Sequence, residues 1–363
     1  MRLFQNSGIY PSYLPVLNQL AKTATTFAER RDRFLADRFG TLHFLKPVLD
    51  GSPDAFFTNA DDDIQQRLWA AENGLSRETS REKILLAQIE QHRTEVFYNM
   101  DPVRYPSSFV RKLPGCVRKT LCWRAAPSVG EDFGAYGAVL GNFPSIADMW
   151  RRQGWRAELF FPAVDPIMAE YNQSERPVDV LFVGGYSRHH ATRARVLEQV
   201  AGLSGSFNVV YHLDASRLTR LAESLPGRFV PGFGKHRRPQ SISRIARPPA
   251  FGRQLYELFG MSKIVLNGAI DMAGLDRGNM RCFEAMGCGA LLVTDEGNYP
   301  AGMADGSTML TYRSTEDAKR TIKKALEDWS SAAKIAASGY VEVSKTYNKD
   351  RQWRDFLDVV ERL

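Results

Sequence analysis

Along most of the chain, short apolar runs alternate with longer stretches whose apolar positions recur every three to four residues. A continuous apolar run suits a strand covered on both faces, and the longer period suits a helix lying on a sheet. The alternation therefore predicts an α/β protein built on parallel sheets. In the first half the predicted strands are RLFQN at the start, DAFFTN, EVFYNM (95–100), KTLCW, AYGAVLGN and AELFFP. Helical patterns fall on 12–40, on about 63–73, on REKILLAQIEQH and on PSIADMWRRQG.

The polar segment NQSERP (172–177) breaks this rhythm, and the pattern then restarts. Strands are expected at VDVLFVGG, FNVVYHL, RFVPGF, KIVLNGA, ALLVTDE and TMLTYRS. Helices are expected at 190–201, RLTRLAESL, GRQLYELFGM, MRCFEAMGCG and from Thr315 onward. The apolar residues Trp353, Phe356, Leu357 and Val360 stand at helical spacing in a last amphipathic helix. The expected organisation is thus an N-terminal Rossmann-like domain over 1–171, a linker over 172–177, a second Rossmann-like domain over 178–344, and a closing helix over 345–363. Two such domains would face each other across a cleft, with ligands at the carboxyl ends of the strands.

Composition narrows the partners. The 363 residues carry 48 Lys and Arg against 41 Asp and Glu, a net charge of +7. The stretch from Ser224 to Tyr256 holds seven cations (Arg228, Lys235, Arg237, Arg238, Arg244, Arg247, Arg253) and no acid, so the rest of the chain balances. A nucleic-acid coat would spread its charge over a face, and this stretch lacks aromatic interleaving. It reads as a localised anion site or as a solvated basic loop. Cys116, Cys122, Cys282 and Cys288 have no metal-ligand spacing, which fits a reduced, cytoplasmic protein. The sequence shows neither a secretory signal pattern nor a long uncharged apolar run, while peripheral contact at the inner face of a membrane stays open.

The segment DRGNMRCFEAMGCGALLVTDE (276–296) carries the chemistry: an acid, seven intervening residues, a Glu opening an E-A-M-x-C-G turn, then an apolar strand. It resembles the donor-binding signature of group-1 GT-B glycosyltransferases. With SKIVLN before it, and with Arg281, it looks closest to their spore-maturation-protein-like branch. The resemblance implies a GT-B fold whose last helix crosses back to the first domain. It gives Asp276, where the family usually has Glu, the donor sugar hydroxyls, and gives Glu284 the ribose diol. Gly278, Asn279, Met280 and Arg281 would then lie at a helix start whose N–H groups suit a diphosphate. The structural alternative for Glu284 is a solvent-facing residue on a helix packed by Phe283 and Met286.

Gly184-Gly185, ending the strand VDVLFVGG, would let the backbone turn and approach a phosphate. Spacing maps the family's basic pair onto Gly185 and His190, so Arg188 and Arg193 are the substitutes, unless they are simply exposed helix charges. In the first half Ser7, Gly8, Asn99, Asp101, Trp123 and Arg124 follow predicted strands, where the resembling family contacts its acceptor. Asp101 is the candidate base for an inverting reaction, or a turn residue before Pro102. Asp61-Asp62-Asp63 reads as capping of the helix after it rather than as a metal triplet. Neither G-x-G-x-x-G nor a P-loop occurs.

The expected activity is transfer of a sugar from a nucleotide-diphosphate-sugar donor to a hydroxyl acceptor, a glycan, a lipid-linked glycan or a small molecule. Retention, with neither metal nor cofactor, is what the resemblance implies. The alternative is a non-catalytic GT-B scaffold, suggested by Asp276 and by the missing basic pair. Nucleic acid is not an expected partner.

Overall fold

The structure is a computed structural model that describes all 363 residues except 128, 187–189 and 269–272, and except the side chain of Arg228. The chain divides into two compact units. Met1–Ala163, Met272–Asp276 and Tyr347–Leu363 form the first, and Val164–Asp271 with Arg277–Thr346 form the second.

The first unit is built on a six-stranded sheet of β1 (Leu3–Asn6), β2 (Ala55–Thr58), β3 (Val96–Asn99), β4 (Lys119–Trp123), β5 (Ala138–Gly141) and β6 (Ala157–Leu159). Their order is β2-β1-β3-β4-β5-β6 and every pairing is parallel, with Leu3 opposite both Ala55 and Val96. All four residues of β1, β3 and β5 are buried, as strands covered on both faces must be. Phe4, Phe97, Val139 and Trp150 form one core face. The helix Lys349–Arg362 covers the sheet through Phe356, which meets the rings of Tyr98 and Phe160. Buried Lys349 anchors that helix by donating from Nζ to the carbonyls of Thr41, Leu42 and Phe44 at 2.7–3.0 Å.

The second unit holds β7 (Val178–Gly185), β8 (Val209–Asp214), β9 (Ala246–Arg247), β10 (Ser262–Leu266), β11 (Leu291–Asp295) and β12 (Leu310–Tyr312). Their order is β12-β11-β10-β7-β8-β9, again all parallel. The expected fold class, α/β with two parallel Rossmann-like sheets, is what these two units display. In each sheet the chain reverses its direction of growth beside its first strand, between β1 and β3 and between β7 and β10. Loops leaving such a point diverge to opposite faces, which opens a crevice at the strand ends.

Three elements differ from the sequence-based expectation. The helical pattern over 12–40 forms two helices, Leu14–Leu20 and Phe27–Asp37, because Thr26 and Glu29 make a capping box that starts a new helix. RFVPGF is not a strand. Pro226 and Pro231 remove ladder donors, and the segment forms short 3-10 turns at Pro226–Phe229 and Phe233–His236. The edge position goes to β9 instead. Finally, the helix from Thr315 ends at Glu327, and a further helix runs over Trp329–Thr346.

Candidate functional site

In the second unit both strands at the reversal point lead into glycine, β7 ending in Gly184-Gly185 and β10 being followed by Asn267-Gly268. Arg193, on the helix Ala191–Ala201, occupies the space that these glycines leave. A Cβ on Gly184 would stand 2.7 Å from its Nη2, and one on Gly268 would stand 3.8 Å from its Cγ. The guanidinium lies 5.0 Å over the ring of Phe182, while its Nε is buried with no hydrogen-bond partner. Burial holds this group below its ordinary value, and the like charge of Arg281 acts in the same direction. A buried cation with an unanswered donor and a second cation beside it is the electrostatic complement of an anion.

The helix Met280–Gly287 supplies the other half of the site. Gly278 precedes it at φ 114°, a conformation closed to most L side chains, so the chain can turn sharply into the helix. The N-cap, Asn279, does not cap with its side chain. Its Nδ2 donates instead to Asn267 Oδ1 at 3.2 Å, and Asn267 Nδ2 donates to Thr294 Oγ1 at 3.1 Å. Tyr312 donates its hydroxyl to the Asn267 carbonyl at 2.8 Å. This chain of bonds ties the start of the helix to the ends of β10, β11 and β12.

Glu284 is buried, at 4% exposure, so it is not the solvent-facing residue of the structural alternative. Burial raises its pKa, and the Arg281 guanidinium, which donates to Glu284 Oε2, works against that rise. Arg281 also lies 5.3 Å over the Phe259 ring. The helix thus presents a carboxylate and a guanidinium held against each other, with Cys282, Phe283, Ala285 and Met286 all at 0% exposure behind them.

Asp276 lies in the first unit. Its Oδ2 accepts from the backbone N–H of Ser145 at 2.7 Å, and Ser145 Oγ donates to the Ala273 carbonyl at 3.1 Å. Ser145 is in the first turn of the helix Pro144–Arg152, whose N-cap Phe143 provides no side-chain cap, so Asp276 complements the positive end of that helix.

At the reversal point of the first sheet, Gly8 follows β1 and Asp101 follows β3. A Cβ on Gly8 would meet Asp101 Oδ2 at 3.2 Å. Asp101 Oδ2 accepts from Arg104 Nε at 2.9 Å, and the Asp101 carbonyl accepts from Tyr105 N at 3.1 Å, so this residue also forms the turn. Asp61, whose side chain is 7% exposed, completes the group. Its two oxygens accept from Ile9 N at 3.2 and 3.0 Å, and Arg104 stands 3.5 Å away. Burial raises the Asp61 pKa, opposed by the Ile9 N–H. Below them Asn6 Nδ2 donates to Asn99 Oδ1 at 2.9 Å, and Asn99 Nδ2 donates to the Tyr136 hydroxyl at 2.7 Å.

The three consecutive aspartates therefore have separate tasks. Asp61 fixes the loop after β1, whereas Asp62 forms a buried ion pair with Arg30 at 2.5 Å and its side chain caps nothing, contrary to the capping expected for it. Only Asp63 lies in the first turn of the helix Asp63–Glu72.

Of the sequence candidates, Gly184, Gly185, Arg193, Gly278, Asn279, Met280, Arg281 and Glu284 lie in the second unit around the β7 and β10 ends and the helix start. Asp276 and Asp101 lie in the first unit. Arg188 falls outside the described residues. Trp123 packs at a tilt against buried His43, ring centroids 4.4 Å apart, and Arg124 Nε is buried without a hydrogen-bond partner. Reading the sequence missed Gly268, Asn267 and Asp61. The signal for the first two was present as an Asn-Gly pair closing an apolar strand, the same grammar as Gly184-Gly185.

This fold is that of GT-B glycosyltransferases, the fold class expected from the sequence. The model of the family described as glycosyl transferase-like matches residues 216–358. The chain is similar to HepE of Anabaena, solved with UDP and glucose, at 13% identity over 100% of both chains with a TM-score of 0.59. It is similar to a glycosyltransferase from Rickettsia africae at 12% identity, over 99% of this chain and 97% of that one, with a TM-score of 0.55. Sucrose-phosphate synthase from Thermosynechococcus elongatus gives 11%, 99%, 98% and 0.54 for the same quantities. No curated protein matches the chain by sequence.

Proposed function

We propose that the protein transfers a sugar from a nucleoside-diphosphate-sugar to a hydroxyl acceptor. The observation that carries this reading is the pair of guanidiniums, Arg193 and Arg281, at the reversal point of the second sheet, one with a buried and unanswered Nε. Such a pair would neutralise the diphosphate as the bond from the anomeric carbon to its oxygen breaks, work that fixed cations do without a metal. The start of the helix Met280–Gly287 would add N–H donors. Glu284 is assigned the ribose diol and Asp276 the sugar hydroxyls.

The reaction is assigned as retaining, with the acceptor proton passing to a donor phosphate oxygen as the new glycosidic bond forms. For an inverting reaction Asp101 would take that proton. HepE was solved with UDP-glucose, which makes a uridine diphosphate sugar the first donor to try. The branch assigned is the spore-maturation-protein-like one, acting on a glycan or lipid-linked acceptor in the cytoplasm. A second reading, a scaffold that binds nucleotide without turnover, is favoured by the engagement of the Asp276 carboxylate with Ser145 N.

Calorimetric titration with nucleoside diphosphates and their sugars tests both readings, followed by a donor-hydrolysis assay. Binding with turnover is the expected result. Binding without hydrolysis or transfer selects the scaffold, and no binding at millimolar concentration ends both.

A further inference from the structure

The helix Arg217–Glu223 and the turn Pro226–Phe229 form a compact knuckle in the second unit. Its inner side is closed by Ala222, at 0% exposure, and by Arg237, which donates to the carbonyls of Ala222 and Gly227 at 3.2 and 3.0 Å. Its outer side is apolar. Leu218, Leu221, Leu225, Phe229 and Val230 are 51%, 51%, 74%, 86% and 42% exposed. These are five of the fifteen exposed large hydrophobics among the described residues, gathered within thirteen positions. Leu218 and Leu221 stand three apart on the helix Arg217–Glu223 and share one side of it, and Leu225 follows just beyond its end. A monomer seldom concentrates such residues without something to cover them.

The charge around the knuckle selects the cover. From Arg217 to Pro249 the chain has eight Lys and Arg and one acid, Glu223. Arg238 neutralises that acid, donating to it from Nε and Nη2. Arg217, Arg220, Lys235 and Arg244 are exposed. Two copies of this surface would repel each other. Apolar side chains ringed by cations match a sheet of anionic headgroups over hydrocarbon. No helix among the described residues is long and apolar enough to cross a membrane, so the contact would be peripheral.

We propose that the knuckle Arg217–Val230, with the basic segment after it, docks the second unit onto an anionic lipid bilayer. Leu225 and Phe229 enter the headgroup boundary, and the exposed arginines meet lipid phosphates. This proposal does not depend on the transferase reading, since the surface would bind lipid whatever the site does.

The test is co-sedimentation of the full chain with vesicles of phosphatidylcholine, with and without phosphatidylglycerol. Sedimentation with the anionic vesicles alone is expected. Leu225→Ser with Phe229→Ser should weaken that binding on the order of tenfold. Both residues are exposed, so the melting temperature should not move. Arg217→Gln with Arg220→Gln should weaken it comparably and flatten its salt dependence. Failure to sediment with either vesicle overturns the proposal, as does binding that survives both double variants. A vesicle-free change in sedimentation coefficient on the serine substitutions would overturn it in favour of a second copy as the cover.

Discussion

Gly184→Ala is the sharpest probe of the proposed anion site, because it perturbs a cation without removing it. The added methyl would stand 2.7 Å from Arg193 Nη2 and 3.1 Å from the Phe182 ring, against 3.4–4 Å for ordinary contact. The backbone at Gly184 is not in the left-handed region, so alanine is accepted there. The guanidinium, the far end of a flexible side chain, therefore retreats by roughly 0.7 Å, which disturbs its seat over Phe182. A hydrogen bond to a charged group contributes about 1.5–3 kcal/mol, so losing its alignment should raise the UDP dissociation constant roughly tenfold to a hundredfold.

The assay is calorimetric titration of UDP into wild type, Gly184→Ala, Arg193→Ala and the double variant. If Gly184 acts through Arg193, the double variant should bind no worse than Arg193→Ala, a strong departure from additivity. Gly185 separates a second cause. A Cβ there meets no protein atom within 4 Å, so a loss at Gly185→Ala reports how near the ligand itself comes to the backbone. Wild-type affinity in Gly184→Ala, or additive losses in the double variant, would refute the assignment of Arg193 as the anion contact.

Glu284→Ala should weaken UDP binding about tenfold, while Asp276→Ala should reduce sugar transfer more than affinity for the bare nucleotide; equal and small effects in both would count against their roles. In the first unit, burial first and the Lys349 charge second push His43 down to about 3. The unfolded chain then binds a proton below pH 6.5 that the folded chain refuses, so stability should fall by about 1.4 kcal/mol per pH unit from there toward pH 3. His43→Phe keeps a ring against Trp123 and should remove that part of the slope in urea midpoints measured at pH 7, 6 and 5. Identical slopes in both proteins would show that His43 titrates normally.

What was legible in the sequence is what local pattern encodes. Buried parallel strands announce themselves as apolar runs, so VDVLFVGG and KIVLN were readable. RFVPGF carries the same composition but has Pro226 and Pro231 about it, and a ladder cannot spare those donors. The short β9, two residues long, has too little pattern to detect. Within the site, Glu284 and Arg281 were picked out because the string they stand in resembles the group-1 donor-binding signature. Asp61 was hidden for the opposite reason. In a run of three aspartates nothing local distinguishes the one that meets Ile9 N from the one that meets Arg30, since those partners lie 52 and 32 residues away in the chain.

The two reversal points share a topology and differ in electrostatics. At β1 and β3 the charges answer one another: Arg104 pairs with Asp101 and stands near Asp61, above neutral amides already bonded among themselves. An incoming anion there would have to displace carboxylates. A hydroxyl could exchange hydrogen bonds with them. At β7 and β10 the balance is reversed. Arg281 has Glu284, but Arg193 keeps a buried Nε without a partner, and burial foremost holds that guanidinium below its ordinary value. If one ligand is a diphosphate and the other an alcohol, the second unit is the one equipped for the first and the first unit for the second.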